Sequence, residues 1–72
     1  MTLDRLNDGD RVVVKSLCVK NDMRRRLRDI GVVEGAIIER ICGSPFGDPV
    51  AFIIKGAVIA LRNEVSEEIV VE

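Results

Sequence analysis

The sequence predicts an all-β fold that contains one short helix. Hydrophobic residues make up 47% of the 72 residues and gather in short segments separated by glycine, proline and asparagine. This pattern is typical of strands joined by tight turns, and only one segment repeats its apolar residues with helical spacing. A chain of this length suffices for one modest core, so we expect residues 1–72 to form a single domain.

The N-terminal part is predicted to hold one helical turn and the first strand. Residues 3–6 place two leucines on one side of a single helical turn. A cluster of turn-forming residues follows at 7–10. Residues 11–15 then alternate as a half-buried strand does, with Val12 and Val14 on the face expected to meet the core.

The segment downstream of this strand predicts the helix. An asparagine and an aspartate at 21–22 are suited to cap its N-terminus. Met23, Leu27 and Ile30 recur at i, i+4 and i+7, so they form one apolar face. Gly31 stands where helices commonly end in the left-handed conformation, which limits the helix to about eight residues.

The rest of the chain is predicted to be mostly β-structure. A loop at 43–49 separates the second strand from a hairpin, whose tight turn is Lys55-Gly56. One further helical turn at 63–67, capped by Asn63, precedes the last strand. The strands predicted after the helix cover residues 36–42, 50–54, 57–61 and 69–71.

About five short strands with hairpin connections close best as a small barrel. An SH3-like β-barrel with the helix between its first two strands is the simplest arrangement, and a five-stranded oligonucleotide-binding barrel is the alternative. At the turns, Asp48 is expected to bond its own backbone, and Pro49 to open an edge strand. The residues assigned to structural turns are Gly31, Gly35, Gly47, Asp48, Pro49 and Gly56.

Composition argues against most catalytic and metal sites. The chain has no histidine, no glycine-rich phosphate loop, no paired-cysteine motif and no Ser/His/Asp set. We therefore expect no enzymatic activity, no catalytic residues, no cofactor and no metal site. Cys18 and Cys42 are too far apart for a zinc knuckle, so we expect two reduced thiols that act as small hydrophobic residues in or near the core.

Charge and aromatic content argue against a nucleic-acid partner. The net charge is −1, from 11 basic and 12 acidic residues, whereas nucleic-acid binders carry excess positive charge. Phe46 and Phe52 are the only aromatic residues, which leaves little surface for stacked bases. No apolar run approaches about 18 residues and the N-terminus does not resemble a signal peptide, so we expect a cytoplasmic protein.

The arginines of the helix offer the clearest candidate for a binding surface. Arg24, Arg25 and Arg28 fall opposite the apolar face, and Arg26 flanks it. Positive charge in the first turn opposes the helix dipole, and Arg24 and Arg28 are like charges at i, i+4. Two interpretations stay open: an ordinary solvated face, or a surface that awaits an anionic partner.

Two stretches of the chain resemble the FeoA family of ferrous iron transport proteins. Residues 25–35, RRLRDIGVVEG, are similar to the arginine-rich helix and glycine-bounded turn of that family. Residues 47–49, GDP, followed by an apolar strand, a glycine turn and ALR at 60–62, are similar to its second half. The order and spacing of these blocks extend the resemblance over essentially the whole chain.

The resemblance implies an SH3-like β-barrel that serves as a cytosolic accessory of FeoB, a membrane transporter with a GTP-binding domain. It implies regulation of ferrous iron uptake by protein–protein interaction, with the module, expected to be a monomer, at the membrane only through the transporter. Metal binding is implied only by the label such domains carry. Two alternatives remain: a small nucleic-acid-binding barrel, or a stand-alone metal-sensing domain related to the C-terminal domain of iron-dependent repressors. The residues expected to bind the partner are Arg24, Arg25, Arg28 and Arg62.

Overall fold

The computed structural model describes residues 1–72 and consists mainly of one antiparallel sheet. The five strands are β1 (Arg11–Leu17), β2 (Ile37–Gly43), β3 (Val50–Ile54), β4 (Ala57–Leu61) and β5 (Ile69–Val71). Their order in the sheet is β4-β3-β2-β1-β5. The helices are α1 (Asn21–Asp29), between β1 and β2, and the single turn α2 (Asn63–Ser66), with a 3₁₀ turn at Leu3–Arg5. The predicted fold class, strand number and helix position are confirmed.

The core lies on one face of the sheet and is built by period-two alternation. In β1, Val12 and Val14 are buried while their neighbours are exposed, and in β3 Val50, Phe52 and Ile54 are buried. Alternate side chains of a strand point to opposite faces, so each strand supplies one row to the core. The single core cluster comprises Leu3, Leu6, Val12, Val14, Leu17, Leu27, Val32, Ile38, Val50, Phe52, Ile54, Leu61, Ile69 and Val71.

Helix α1 docks on the core as predicted but begins earlier. Leu27 is buried, and Met23 and Ile30 are half-buried against the core. The N-cap is Lys20, which makes no side-chain capping bond, so the expected caps at 21–22 instead lie in the first turn. Gly31 ends the helix with φ of +97°, in the left-handed region that favours glycine.

The β3–β4 hairpin is anchored to the end of α1. Its two central residues, Lys55 and Gly56, have φ of 51° and 80°, as a tight two-residue turn of the primed type requires. The aliphatic stem of Lys55 lies over Gly31 so closely that a Cβ added there would stand 2.8 Å from Lys55 Cδ. The absence of a side chain at Gly31 therefore makes room for this contact.

The loop before β3 differs from the expectation in its contacts. Asp48 Oδ1 accepts a hydrogen bond from the Asn63 backbone N–H at 3.0 Å, so it satisfies the start of α2 and not its own backbone. Asn63 is not the helix cap, since Arg62 holds that position and the Asn63 side chain donates to Gly47 O at 3.0 Å. Pro49 precedes β3, which lies between β2 and β4, so the expected edge strand is an interior one.

The interpretation of the cysteines as core residues is wrong. Cys18 and Cys42 are both free and both exposed. Cys18 follows the last residue of β1, and Cys42 lies in β2 beside a register irregularity between Arg40 and Cys42. Apolar runs in the sequence continue past the point at which the chain leaves the core, which is why the pattern misassigned them. The fold contains no helix of the length and apolarity needed to cross a bilayer.

Candidate functional site

The arginines of α1 are all exposed, but they differ in what they contact. Arg24 donates a hydrogen bond from Nη2 to the Leu17 backbone O at 2.9 Å, which ties its guanidinium to the end of β1. Arg26 and Arg28 lie in the last turn of the helix, where positive charge suits the helix dipole. Arg26 and Arg28 therefore do not oppose the helix dipole, because α1 starts at Asn21, before the position that the capping pattern indicated.

Arg24 and Arg28 border a groove, which we call the Arg24–Arg28 groove. The two residues share a helix face because they stand four positions apart. The groove has a volume of about 310 Å³. Its other lining residues come from the end of β1 and the segment after α1, namely Leu17, Val32, Val33 and Glu34. Leu17 and Val32 are buried, so an apolar floor lies between a basic rim and one carboxylate.

The charge of this rim is not neutralised within the chain. The three salt bridges of the structure join Arg5 to Asp4, Arg11 to Glu39, and Arg40 to Asp8. None of them involves an arginine of α1 or Arg62. A guanidinium offers several donors in a planar fork that matches a carboxylate. The groove can therefore receive an apolar segment that carries an acidic group.

The structure brings together only two of the four arginines expected to bind a partner. Arg25 and Arg62 are exposed but line no groove. Arg62 stands at the N-cap of α2, on the connection that follows β4. The sequence could not distinguish these positions from Arg24 and Arg28, because a helical wheel shows the face of a residue but not what lies opposite it.

A second groove, of about 290 Å³ and opposite polarity, lies where α2 meets the start of α1. Its lining residues are Lys20, Asp22, Met23, Glu64, Val65 and Glu68. Three carboxylates and one ammonium make it acidic, so α1 borders two grooves of opposite sign. That Glu64 and Glu68 line the same groove as Asp22 is visible only in the fold. No group of three or more histidine, cysteine, aspartate or glutamate side chains is arranged to hold a metal ion.

Arg40 is a structural residue that sequence reasoning missed. Its Nε donates to Asp8 Oδ1 at 2.8 Å and its Nη1 to the Leu6 backbone O at 3.0 Å, with only 21% of the side chain exposed. It thereby ties β2 to the segment that enters β1. The sequence feature that could have indicated this role is an arginine within a strand that is otherwise rich in isoleucine.

Comparison with known proteins identifies relatives over the whole length of the chain. The FeoA domain family profile matches residues 1–72. The chain is 32% identical over 72 residues to the Fe(2+) transport protein A/Fe(2+) transporter FeoB fusion protein of Porphyromonas gingivalis. That match takes in 100% of this chain but only 8% of the fusion protein, so most of the relative has no counterpart here.

Solved structures match the fold closely. The solution structure of FeoA from Chlorobium tepidum superposes with a TM-score of 0.94 at 36% identity, over 100% of this chain and 69% of that one. Stenotrophomonas maltophilia FeoA complexed with zinc, a procaryotic SH3 domain protein, superposes with a TM-score of 0.84 at 32% identity, over 100% and 89%. A manganese-dependent transcriptional repressor reaches 0.90 at 22% identity over 100% of this chain and 35% of its own, which shows the fold alone. These similarities confirm the SH3-like fold that the sequence predicts.

Proposed function

This chain belongs to the FeoA domain family, and on that premise we propose that it is an accessory module of ferrous iron transport. It acts by binding a FeoB-type transporter and performs no catalysis of its own. The observation that carries the proposal is the Porphyromonas gingivalis fusion, in which a relative of this entire chain is joined to a FeoB transporter. Joining two modules in one chain raises the effective concentration of each for the other, which favours modules that must meet.

In this proposal residues 1–72 work as one module on the cytoplasmic side of the membrane, held there only through the transporter. One sheet and one continuous cluster of buried residues support a single module. The cytoplasmic side is supported by the FeoA membership, because it implies a partner surface on the cytosolic portion of the transporter. The module regulates transport through that contact and carries no iron itself.

The Arg24–Arg28 groove is the surface that we assign to the transporter. Its two guanidiniums are free of salt bridges, and its floor is apolar. Carboxylates of the partner would pair with the two rim arginines while an apolar side chain covers Leu17 and Val32, which combines charge recognition with apolar burial. We also assign Arg25 and Arg62, which are exposed outside the groove, to the contact with the transporter.

Charge reversal at the groove tests the assignment. The Arg24→Glu/Arg28→Glu variant removes the bond to Leu17 O and places negative charge in the last turn of α1, so we expect it to stay folded at a cost of about 1 kcal/mol. Its affinity for the cytosolic portion of a FeoB-type transporter should fall at least about tenfold, or ~1.4 kcal/mol. Wild-type binding should weaken as salt rises, because screening weakens attraction between exposed charges. Circular dichroism checks the fold.

A matched control separates the groove from net charge. Arg5→Glu/Arg26→Glu makes the same change in net charge at two exposed positions that line no groove. We expect this variant to bind the transporter nearly as well as wild type and to support ferrous iron uptake in cells. Equal losses of affinity in both variants would refute the assignment of the groove as the binding surface. Unchanged affinity in both would mean that the arginines form only a solvated face. Failure of the wild type to bind would refute the accessory function itself.

A further inference from the structure

Strand β4 is the sheet edge that the fold leaves open. It stands at one end of the strand order and pairs only with β3. The strand at the other end, β5, is covered by the N-terminus, because the Val71 N–H bonds to Met1 O at 2.8 Å and Val70 forms a bridge with Thr2. No comparable segment lies against β4.

The free backbone groups of this edge can be assigned from the hairpin. A two-residue turn makes its flanking residues, Ile54 and Ala57, a hydrogen-bonded pair. Such pairs alternate along an antiparallel ladder, so Val58 and Ala60 direct their N–H and C=O groups away from β3. None of the backbone hydrogen bonds outside the regular elements involves either residue. Four backbone groups therefore face away from the sheet without a protein partner.

The side chains of β4 do nothing to block pairing. Residues 57–61, AVIAL, include no charge and no proline, although 32% of the chain is charged. The β3–β4 ladder runs through five pairs without a bulge. Natural proteins usually protect a sheet edge with charged residues, proline or a bulge, because an unprotected edge is a template for another strand.

Exposed apolar side chains also lie on the outer face of the sheet. Val13, Ile37 and Val58 are 39%, 53% and 68% exposed. Val13 pairs with Ile37, and Ile53 pairs with Val58, so the registers place all four residues on the face away from the core. Of these residues Val58 lies on β4 itself, so a strand added at this edge would cover it.

We propose that β4 pairs antiparallel with β4 of a second copy of this chain, about a twofold axis at Ile59. In this register Val58 of each copy lies opposite Ala60 of the other. Because these are the two residues whose backbone groups face outward, the pairing satisfies all four groups of each copy. The contact uses up both open edges, so assembly closes at a dimer.

The backbone register and the flanking charges both suit a second copy as the occupant, because the two outward-facing residues of one edge match those of the other. No charged residue lies within the paired strands. The nearest flanking charges in the same register are Lys55, which would lie opposite Asn63 of the second copy, and Arg62, opposite Gly56. Like charges are therefore not placed directly opposite one another, a condition that a self-pairing strand must meet.

The contact is small, and its strength follows from its size. Two five-residue strands bury much less surface than the roughly 1,200 Å² typical of stable interfaces. The protein is therefore a monomer at low concentration and dimerises as the concentration rises. This inference does not depend on transporter binding, because β4 contributes nothing to the Arg24–Arg28 groove.

Sedimentation equilibrium from about 10 µM to about 1 mM tests the dimer. We expect the mass of the wild type to rise from 8.0 kDa towards twice that value and no further. Val58→Lys should keep the mass at that of the monomer, because a charge on the edge opposes pairing. Ala60→Pro should do the same, since its N–H is directed away from β3 and its loss breaks no bond of the native ladder.

Val13→Lys is the matched control, because it places the same side chain on the same sheet face but away from the β4 edge. It should dimerise as the wild type does, and melting curves confirm that all three variants are folded. A wild type that stays monomeric at about 1 mM, a mass above that of the dimer, or equal loss in Val13→Lys would overturn the proposal. Retained dimerisation in both edge variants would do the same. The proposal would also be overturned if the wild type stayed monomeric and Val58→Lys and Ala60→Pro lost transporter binding. That result would mean that a strand of the transporter occupies the edge.

Discussion

Substitution of Gly31 by alanine probes the contact that joins α1 to the hairpin. At φ of +97° an alanine is strained by about 1–2 kcal/mol, since left-handed backbone is unfavourable for residues with a Cβ. The new Cβ also stands 2.8 Å from Lys55 Cδ, which forces the lysine stem out of its preferred rotamer at about 0.5–1.5 kcal/mol. Alanine also lowers the conformational entropy of the unfolded chain, which stabilises the folded protein by about 0.4–1 kcal/mol. We expect Gly31→Ala to lower the free energy of unfolding by roughly 0.5–3 kcal/mol.

Gly35→Ala isolates the backbone part of this cost. Gly35 has φ of +87°, but a Cβ added there meets nothing within 4 Å. The free energy of unfolding of Gly35→Ala should be only about 0.5–1.5 kcal/mol lower than that of the wild type, measured by urea unfolding with the same m-value. The excess loss in Gly31→Ala should disappear when Lys55 is replaced by alanine in the same chain. If the two glycine variants are equally stable in both backgrounds, the lysine contact has no energetic role and the reasoning is wrong.

Two other outcomes follow from the structure. Leu27→Ala should lower the free energy of unfolding by about 2–4 kcal/mol, because Leu27 is the buried residue of α1. Arg25→Ala, on the exposed face of α1, should change the free energy of unfolding by less than about 0.5 kcal/mol. An unchanged melting midpoint for Leu27→Ala would mean that α1 does not dock on the core. Calorimetry on the reduced protein should detect no stoichiometric binding of ferrous iron or zinc at micromolar affinity, since no ligand cluster forms. A tight site that is lost in Cys18→Ser/Cys42→Ser would contradict this expectation.

Much of the fold could be predicted because its signals are local. The alternation of Val50, Phe52 and Ile54 with less buried residues defines β3 within five positions of sequence. The Lys55-Gly56 turn needs positive φ, and glycine accepts it at no steric cost. Helix α1 follows from apolar residues spaced by three and four.

The errors concern features that local sequence patterns do not determine. Capping at the start of α1 was assigned to the residues with the best capping side chains, yet packing started the helix at Asn21 without a side-chain cap. Asp48 and Asn63 bond to each other's segments across the loop and α2, which neither local pattern indicates. Cys18 and Cys42 follow apolar residues but lie outside the core. For Asp48 and Asn63, contacts between distant segments outweighed the local preference.

For the candidate site too, some features follow from the sequence and others only from the tertiary structure. Sequence alone determined that arginines cluster on the solvent face of a helix, because helical periodicity assigns each residue to a face. Only the tertiary structure decided that Arg24 and Arg28 share a groove with Leu17 and Val32, since those residues come from separate elements. It also decided which strand edge stays open. Strand order depends on the path of the chain between strands. The sequence pattern of an apolar strand is the same whether the strand lies inside the sheet or at its edge.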